Sequence, residues 1–96
     1  MEGRRQEKIG NVLKQDLATL FQREAKTMFG GAFITVTSVR VTSDLSYAKV
    51  HLSIFGNNSE ESLKLVQSQT REIRHIIAKK VRHQMRKVPS FQFFID

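Results

Sequence analysis

Three histidines, nine Asp or Glu residues and a dense run of Arg and Lys are the side chains in this 96-residue sequence that could do chemistry. Histidine serves as a general base or a metal ligand only with partners. His51 lies in a β-branched segment, while His75 and His83 stand on a helical pattern with no carboxylate three or four residues further along. Asp44 and Asp96 read as a turn cap and a strand end rather than a catalytic pair. Gly30-Gly31 is not a phosphate loop, because no Gly-Lys-Ser/Thr follows and the pair precedes a strand. The acids are scattered, which leaves a magnesium-dependent nuclease without its carboxylate cluster. Zero cysteines exclude a disulfide framework and a thiolate metal site. The expectation is a protein that is not an enzyme, with no cofactor, no metal and no small-molecule substrate.

The chemistry that remains is the binding of anions. Residues 71–87 carry Arg71, Arg74, Lys79, Lys80, Arg82, Arg86 and Lys87 against the single acid Glu72. Residues 1–70 hold nine Lys or Arg and seven Asp or Glu, a net of +2, whereas residues 71–96 hold seven against two, a net of +5. A localised cationic face beside a folded body is an electrostatic footprint for nucleic acid or an anionic surface. Projected at 100° per residue, Arg71, Arg74, His75, Lys79, Arg82 and Arg86 gather opposite the apolar stripe of a helix over residues 63–86. A solvated charged face is the competing reading. Against it stand the missing acids and the absence of the Glu-to-Lys pairs at four-residue spacing that ordinary surface helices use. Arginine also clamps phosphate with two hydrogen bonds and stacks on bases, which suits RNA. Arg4, Arg5, Lys8 and Lys49 complete the set of candidate RNA contacts.

The elements that must position these cations are legible in the apolar spacing. Ile9, Val12, Leu13, Leu17, Leu20 and Phe21 recur every three or four residues and predict a helix from Arg5 to Lys26, ended by Gly30 and Gly31. Ile34, Thr35, Val36, Thr37, Val39 and Val41 make Ala32 to Val41 a strand. Its alternation slips from even to odd positions, which predicts a bulge near Thr37 and Ser38. Thr42, Ser43 and Asp44 supply a turn, and Ala48, Val50, Leu52 and Ile54 alternate cleanly in a second strand, so the two form a hairpin. Ser59 followed by Glu60 and Glu61 reads as a helix N-cap. Leu63, Val66, Thr70, Ile73, Ile77 and Val81, with Leu65 and Ile76 widening the stripe, then continue a helical pattern that nothing interrupts before Pro89. As one rod that pattern would run about 42 Å, whereas a domain of this size is only about 32 Å across. A break is therefore expected. Lys80 falls inside the apolar arc, through a change of direction or by snorkelling. Phe91, Phe93 and Ile95 alternate as a third strand.

The order is α-β-β-α-α-β, an α+β class with a three-stranded sheet packed against helices, and residues 1–96 fit one domain with one core. No apolar run approaches the length needed to span a bilayer and no secretory signal opens the chain, so the expectation is a soluble, cytoplasmic monomer.

With this order the chain resembles the ribosome-binding factor A family over nearly its whole length. The strongest match is Ser43-Asp44-Leu45-Ser46-Tyr47-Ala48-Lys49-Val50, similar to the family's Asp-Leu-x-x-Ala-Lys-Val signature, with Thr35-Val36-Thr37-x-Val39 before it. Gln22-Arg23-Glu24, Ile73-Arg74 and Pro89-x-Phe91-x-Phe93-x-x-Asp96 follow in order. Each motif alone is explained by structure; their joint order is specific. The resemblance implies a single type II KH-like domain whose partner is the immature small ribosomal subunit and its ribosomal RNA, bound near the decoding region. It also implies a part in late maturation, including 5′-end processing of that RNA, often in cold adaptation. The chain departs from the family at Gln69-Thr70-Arg71, where relatives have a small-x-Gly kink. Without Gly, contacts here should depend on side chains, Arg71 among them. The alternative is a generic small KH-like RNA-binding protein. Duplex DNA is disfavoured by the lack of a helix-turn-helix pattern, and a membrane surface by the core's need for the helix's apolar face. Neutralising Arg74, Lys79 and Arg82 is expected to weaken binding and leave stability nearly untouched.

Overall fold

The computed structural model describes residues 3–56 and 58–96. Along the chain run α1 (Arg4–Arg23), α2 (Ala25–Met28), β1 (Phe33–Val41), β2 (Tyr47–Phe55), α3 (Ser59–Ser68), α4 (Thr70–Val81) and β3 (Ser90–Ile95). β2 is the middle strand of the sheet, antiparallel to β1 and parallel to β3. With α2 counted as a one-turn extension of α1, this is the α+β, KH-like arrangement expected.

α1 presents Leu13, Leu17, Leu20 and Phe21 to the core at helical spacing. It can lie close to β1 because residue 10 is glycine: a Cβ there would stand 3.1 Å from the Val39 carbonyl oxygen. Gln6 secures the start of the helix, its amide oxygen accepting from the Gly3 N–H and its Nε2 donating to the Val41 carbonyl. The helix leaves its path at Glu24 rather than running unbroken to Lys26, and α2 resumes for a single turn. Gly30 and Gly31 then reverse the chain at φ 62° and 80°, a region that costs other residues about 1–2 kcal/mol.

In the sheet, the register of β1 on β2 shifts between Val36 and Ser38, the bulge the alternation predicts. The extra residue, Thr37, donates its hydroxyl to the His51 carbonyl. The bulge keeps Ile34, Val36 and Val41 on the inner face, beside Ala48, Val50, Leu52, Phe91 and Phe93. Phe21 stands among them, its ring 4.9 Å from Phe29 and 6.1 Å, edge-on, from Phe93. Ile95 and Leu65, assigned to the core from their spacing, are instead 38% exposed. Ile95 is the last residue of β3, and Leu65 stands at the margin of the α3 stripe, beside the fully buried Val66.

The expected break in the second helical region falls at Gln69, between α3 and α4, and the molecule measures 37 × 27 × 18 Å. No glycine makes it. Gln69 takes φ −108° and ψ 16°, which any residue can adopt. Polar side chains satisfy the carbonyls freed at the end of α3: Ser68 Oγ donates to Leu65 O at 2.7 Å and Thr70 Oγ1 to Gln67 O at 2.7 Å. Gln69 Nε2 donates both to Leu65 O and to Met28 O, tying the break to the end of α2. The N-cap of α3 is Asn58, with Ser59 already the first helical residue.

α4 also ends earlier than the uninterrupted pattern before Pro89 suggests. Val81 is its last residue, after which Gln84 N and Met85 N both bond back to the Val81 carbonyl. Residues 82–89 then carry the chain to the head of β3, where Ser90 N donates to Ser46 O. Met85 and Val88 still pack against the core from this connection, so apolar spacing continues where helix does not.

Candidate nucleic-acid interface

The early end of α4 rearranges the cations. Arg82 is the helix cap and Arg86 belongs to the connection, so the single face drawn through residues 63–86 does not exist as a helical stripe. Instead the connection folds over the first turns of α1. Arg5, Lys8 and Ile9 from α1 and Arg82, His83, Gln84, Met85 and Arg86 from the connection line one open cleft of about 630 Å³. A shallower hollow lined by Lys8, Ile9, Val12, Gln84 and Met85 borders it. The floor is apolar, from Ile9, Val12 and Met85, and the rim is cationic, with no carboxylate in the lining among the described residues.

Helix electrostatics separate the cations of α4 from those of α1. Lys79 and Lys80 in the last turn of α4 sit where the helix dipole favours cations, so their placement is partly explained by stability. Arg4 and Arg5 occupy the first turn of α1, where the dipole disfavours them. Their positions do nothing for the helix.

The remaining candidates disperse. Arg71, His75, Lys79 and Lys80 are exposed on α4 outside the cleft lining. Arg74 is committed to the fold, Nε donating to the Pro89 carbonyl at 3.2 Å and Nη2 to the Val88 carbonyl at 2.7 Å. Its charge cannot be removed without loosening the connection, which corrects the expectation that stability is indifferent to this residue. Lys87 approaches the β1–β2 turn, where it contributes to holding Asp44 ionised. The main causes there are the Ser46 hydroxyl, then the Thr42 hydroxyl, donating to Asp44 Oδ1 at 2.6 and 2.7 Å, with the Ser46 N–H at 3.1 Å. Together they lower its pKa to about 2. The turn is tight enough to hold Leu45 at φ 62°. Lys49 leaves the group altogether. It lies on the outer face of the sheet, opposite Arg40 on β1 and Gln92 on β3, with the helices behind the other face.

Sequence reasoning passed over Ile9 and Met85 as floor and His83 as rim. The signal was present in Met85 and Val88, which extend the apolar spacing of Ile77 and Val81, but only the fold shows that they cross α1. The expected kink chemistry shifts too. With Gln69 at negative φ and its amide occupied, the α3–α4 break offers no glycine-lined backbone approach, and Arg71 is the cation beside it. Among the described residues no group of three His, Asp or Glu could hold a metal ion. No described helix is long and apolar enough to cross a membrane.

Comparison with known proteins places these features. The family model for ribosome-binding factor A matches residues 5–96. The ribosome-binding factor A of Flavobacterium johnsoniae is 45% identical across this chain and 75% of its own length, and that of Christiangramia forsetii is 41% identical over 99% of this chain and 74% of its own. The crystal structure of ribosome-binding factor A from Thermus thermophilus superposes with a TM-score of 0.78 over 94% of each chain at 24% identity. A Thermus thermophilus homology model, described as fitted into the cryo-EM map of a complex of ribosome binding factor A with the 30S subunit, has a TM-score of 0.66 at 26% identity over 86% of this chain and 90% of its own. The Asp-Leu-Ser-Tyr-Ala-Lys-Val turn and strand, the helix pair broken without glycine and the Phe-rich third strand thus lie within one continuous match, and the chain belongs to the ribosome-binding factor A family.

Proposed function

We propose that this chain binds the small ribosomal subunit during its assembly and grips small-subunit ribosomal RNA in the cleft between α1 and the 82–89 connection. The observation that carries this reading is the lining: Arg5, Lys8, Arg82 and Arg86 around a floor of Ile9 and Met85, with no acid among them. Phosphates fit the rim, and sugars or bases fit the floor. The family match and the similar Thermus thermophilus homology model fitted into the map of a 30S complex support the choice of partner. Membership of the family supports extending the reading to a part in late maturation, including 5′-end processing of the RNA. It likewise supports a cytoplasmic location, action as a single domain and a role as a binding factor rather than a catalyst. Arg71, His75, Lys79 and Lys80 extend the footprint along α4, and Arg4 extends it along α1.

The test is co-sedimentation of a triple variant, Arg5→Gln, Arg82→Gln and Arg86→Gln, with isolated small and large subunits across a salt series. Wild type should pellet with small subunits. The triple variant should bind more weakly and with a flatter salt dependence, the log–log slope falling by roughly 0.7 to 0.9 per lost phosphate contact. Thermal unfolding should be unchanged, since these side chains are exposed. Wild-type binding by the triple variant overturns the cleft assignment. Equal pelleting with both subunits reduces the protein to a general RNA binder.

A further inference from the structure

The helices cover one face of the sheet and, among the described residues, nothing covers the other. An open sheet face normally carries short polar side chains. This one carries aromatics. Phe33 and Phe55 are directly opposed partners at one end of the hairpin and are 66% and 83% exposed. At the other end Tyr47 is exposed beside Ser90. Between them His51 stacks on Phe94, ring centroids 5.4 Å apart and planes tilted by only 28°. Exposed apolar side chains gathered on one surface mark a binding site more often than chance.

Charge selects the partner. Arg40 and Lys49 face each other across the strands between the aromatic positions, with Gln92 as the third member of the row. Like charges placed directly opposite destabilise a sheet. The outward positions along β1 and β2, from Phe33 to Arg40 and from Tyr47 to Phe55, contain no Asp or Glu; the acid that comes near is Glu7 of α1, which shares a hollow with Arg40 at the edge of the sheet and leaves Lys49 unneutralised by the strands. A second copy of this face would bring four such cations together, which argues against self-association. A polyanion relieves the repulsion, and one carrying flat apolar groups also covers the rings. Single-stranded RNA has both properties, and stacking on aromatic side chains with nearby cations is how sequence-tolerant single-strand sites work. Tyr47, His51 and Phe55 recur every four residues on β2, about 13 Å apart, so the face spans several nucleotides.

We propose that the open face of the sheet is a second RNA-binding surface, separate from the cleft, on which Tyr47, the His51–Phe94 stack and the Phe33–Phe55 pair receive the bases of an unpaired strand while Arg40 and Lys49 neutralise its phosphates. The cleft and the sheet face lie on opposite sides of the layer of inner-face residues. One molecule can therefore hold a structured element with its helices and an unpaired segment with its sheet.

The test uses a built-in probe. Tyr47 is the sole tyrosine and there is no tryptophan, so tyrosine emission reports this face alone. Titration of the full chain with short oligo(U) should quench Tyr47 saturably, whereas duplex RNA should leave it unchanged. The double variant Phe55→Ala with Phe94→Ala should bind oligo(U) roughly 10- to 100-fold more weakly. Circular dichroism and thermal unfolding establish that the variant is folded. The triple variant in the cleft, Arg5→Gln, Arg82→Gln and Arg86→Gln, should keep the quench, which separates this surface from the first. Unquenched Tyr47 in the wild type overturns the proposal, as does unchanged oligo(U) affinity in the folded double variant. So does concentration-dependent self-association in sedimentation equilibrium that Phe33→Ala with Phe55→Ala abolishes, because the face would then join two copies of the chain.

Discussion

Arg74 shows how one side chain can look like a ligand in sequence and be a fastener in the fold. Its guanidinium reaches two consecutive carbonyls, of Val88 and Pro89, from an α-helix on the far side of the connection. Hydrogen bonds from a charged donor are worth more than neutral ones, but solvent at this partly exposed site reduces the gain. Arg74→Ala should therefore lower stability by about 1 kcal/mol, read as a shifted urea midpoint at unchanged slope. Arg74→Lys should not restore it, because an ammonium cannot reproduce the fork. An unmoved midpoint in Arg74→Ala would return this residue to the free cations. Asp44 is the other residue with a legible physical role. Its carboxylate accepts from Ser46 and Thr42, and its folded pKa drops from 3.8 to about 2. A depressed folded value favours the native state whenever the carboxylate is ionised. Its contribution is thus complete above the unfolded value of about 4 and vanishes as the pH falls through 2. A side-chain carbon titration by NMR should show a midpoint near 2 in the wild type and a higher one in Ser46→Ala. A midpoint near 4 in both would mean that these hydrogen bonds do not form in solution.

At the scale of elements, the instructive case is the joint between α3 and α4. A rod of about 42 Å exceeds the molecule's longest extent of 37 Å, and the structure shortens it twice, by the joint at Gln69 and by the early end of α4 at Val81. The sequence does not mark the place, since neither Gly nor Pro stands there and the chain simply reads Ser68-Gln69-Thr70. Those polar side chains make the joint by bonding the carbonyls that the ending helix releases. Their hydrogen-bonding capacity is visible in sequence but its use is not. Gln69→Ala removes the bonds to Leu65 and Met28 and should cost about 1 kcal/mol, again read from urea unfolding. Gln69→Gly should be no better than alanine, because the native φ is negative and glycine's freedom brings only entropy loss. A stabilised glycine variant would show that the joint prefers a backbone conformation other than the observed one. The end of α4 was hidden for a related reason. Val81, Met85 and Val88 keep helical spacing across a segment whose path is decided by the position of β3, not by local preference.

For the whole molecule, the hairpin, its bulge and the order of elements were legible because each rests on neighbours in sequence. The site was legible in part. The cations were visible as residues, but their division between a cleft on the helix side and Lys49 on the open sheet depends on which face the helices cover. Periodicity says that a strand has two faces without saying which is dry. The aromatics of the outer face were hidden for the same reason, since Phe94 and Phe55 belong to strands whose inner residues are equally apolar. The mixed sheet has one more consequence, for the order in which the molecule assembles. β1 and β2 meet across a short turn, an event of roughly 1–10 μs for an isolated hairpin. β3 lies parallel to β2, and its pairing closes the much longer loop through α3, the joint, α4 and the connection, so it is expected to follow the hairpin. During that interval the central strand has one ladder satisfied and one bare, with Ala48, Val50 and Leu52 not yet covered by Phe91 and Phe93. The topology makes the third strand the expected late arrival, and the wait for it the time when the chain is most open to pairing with a stranger.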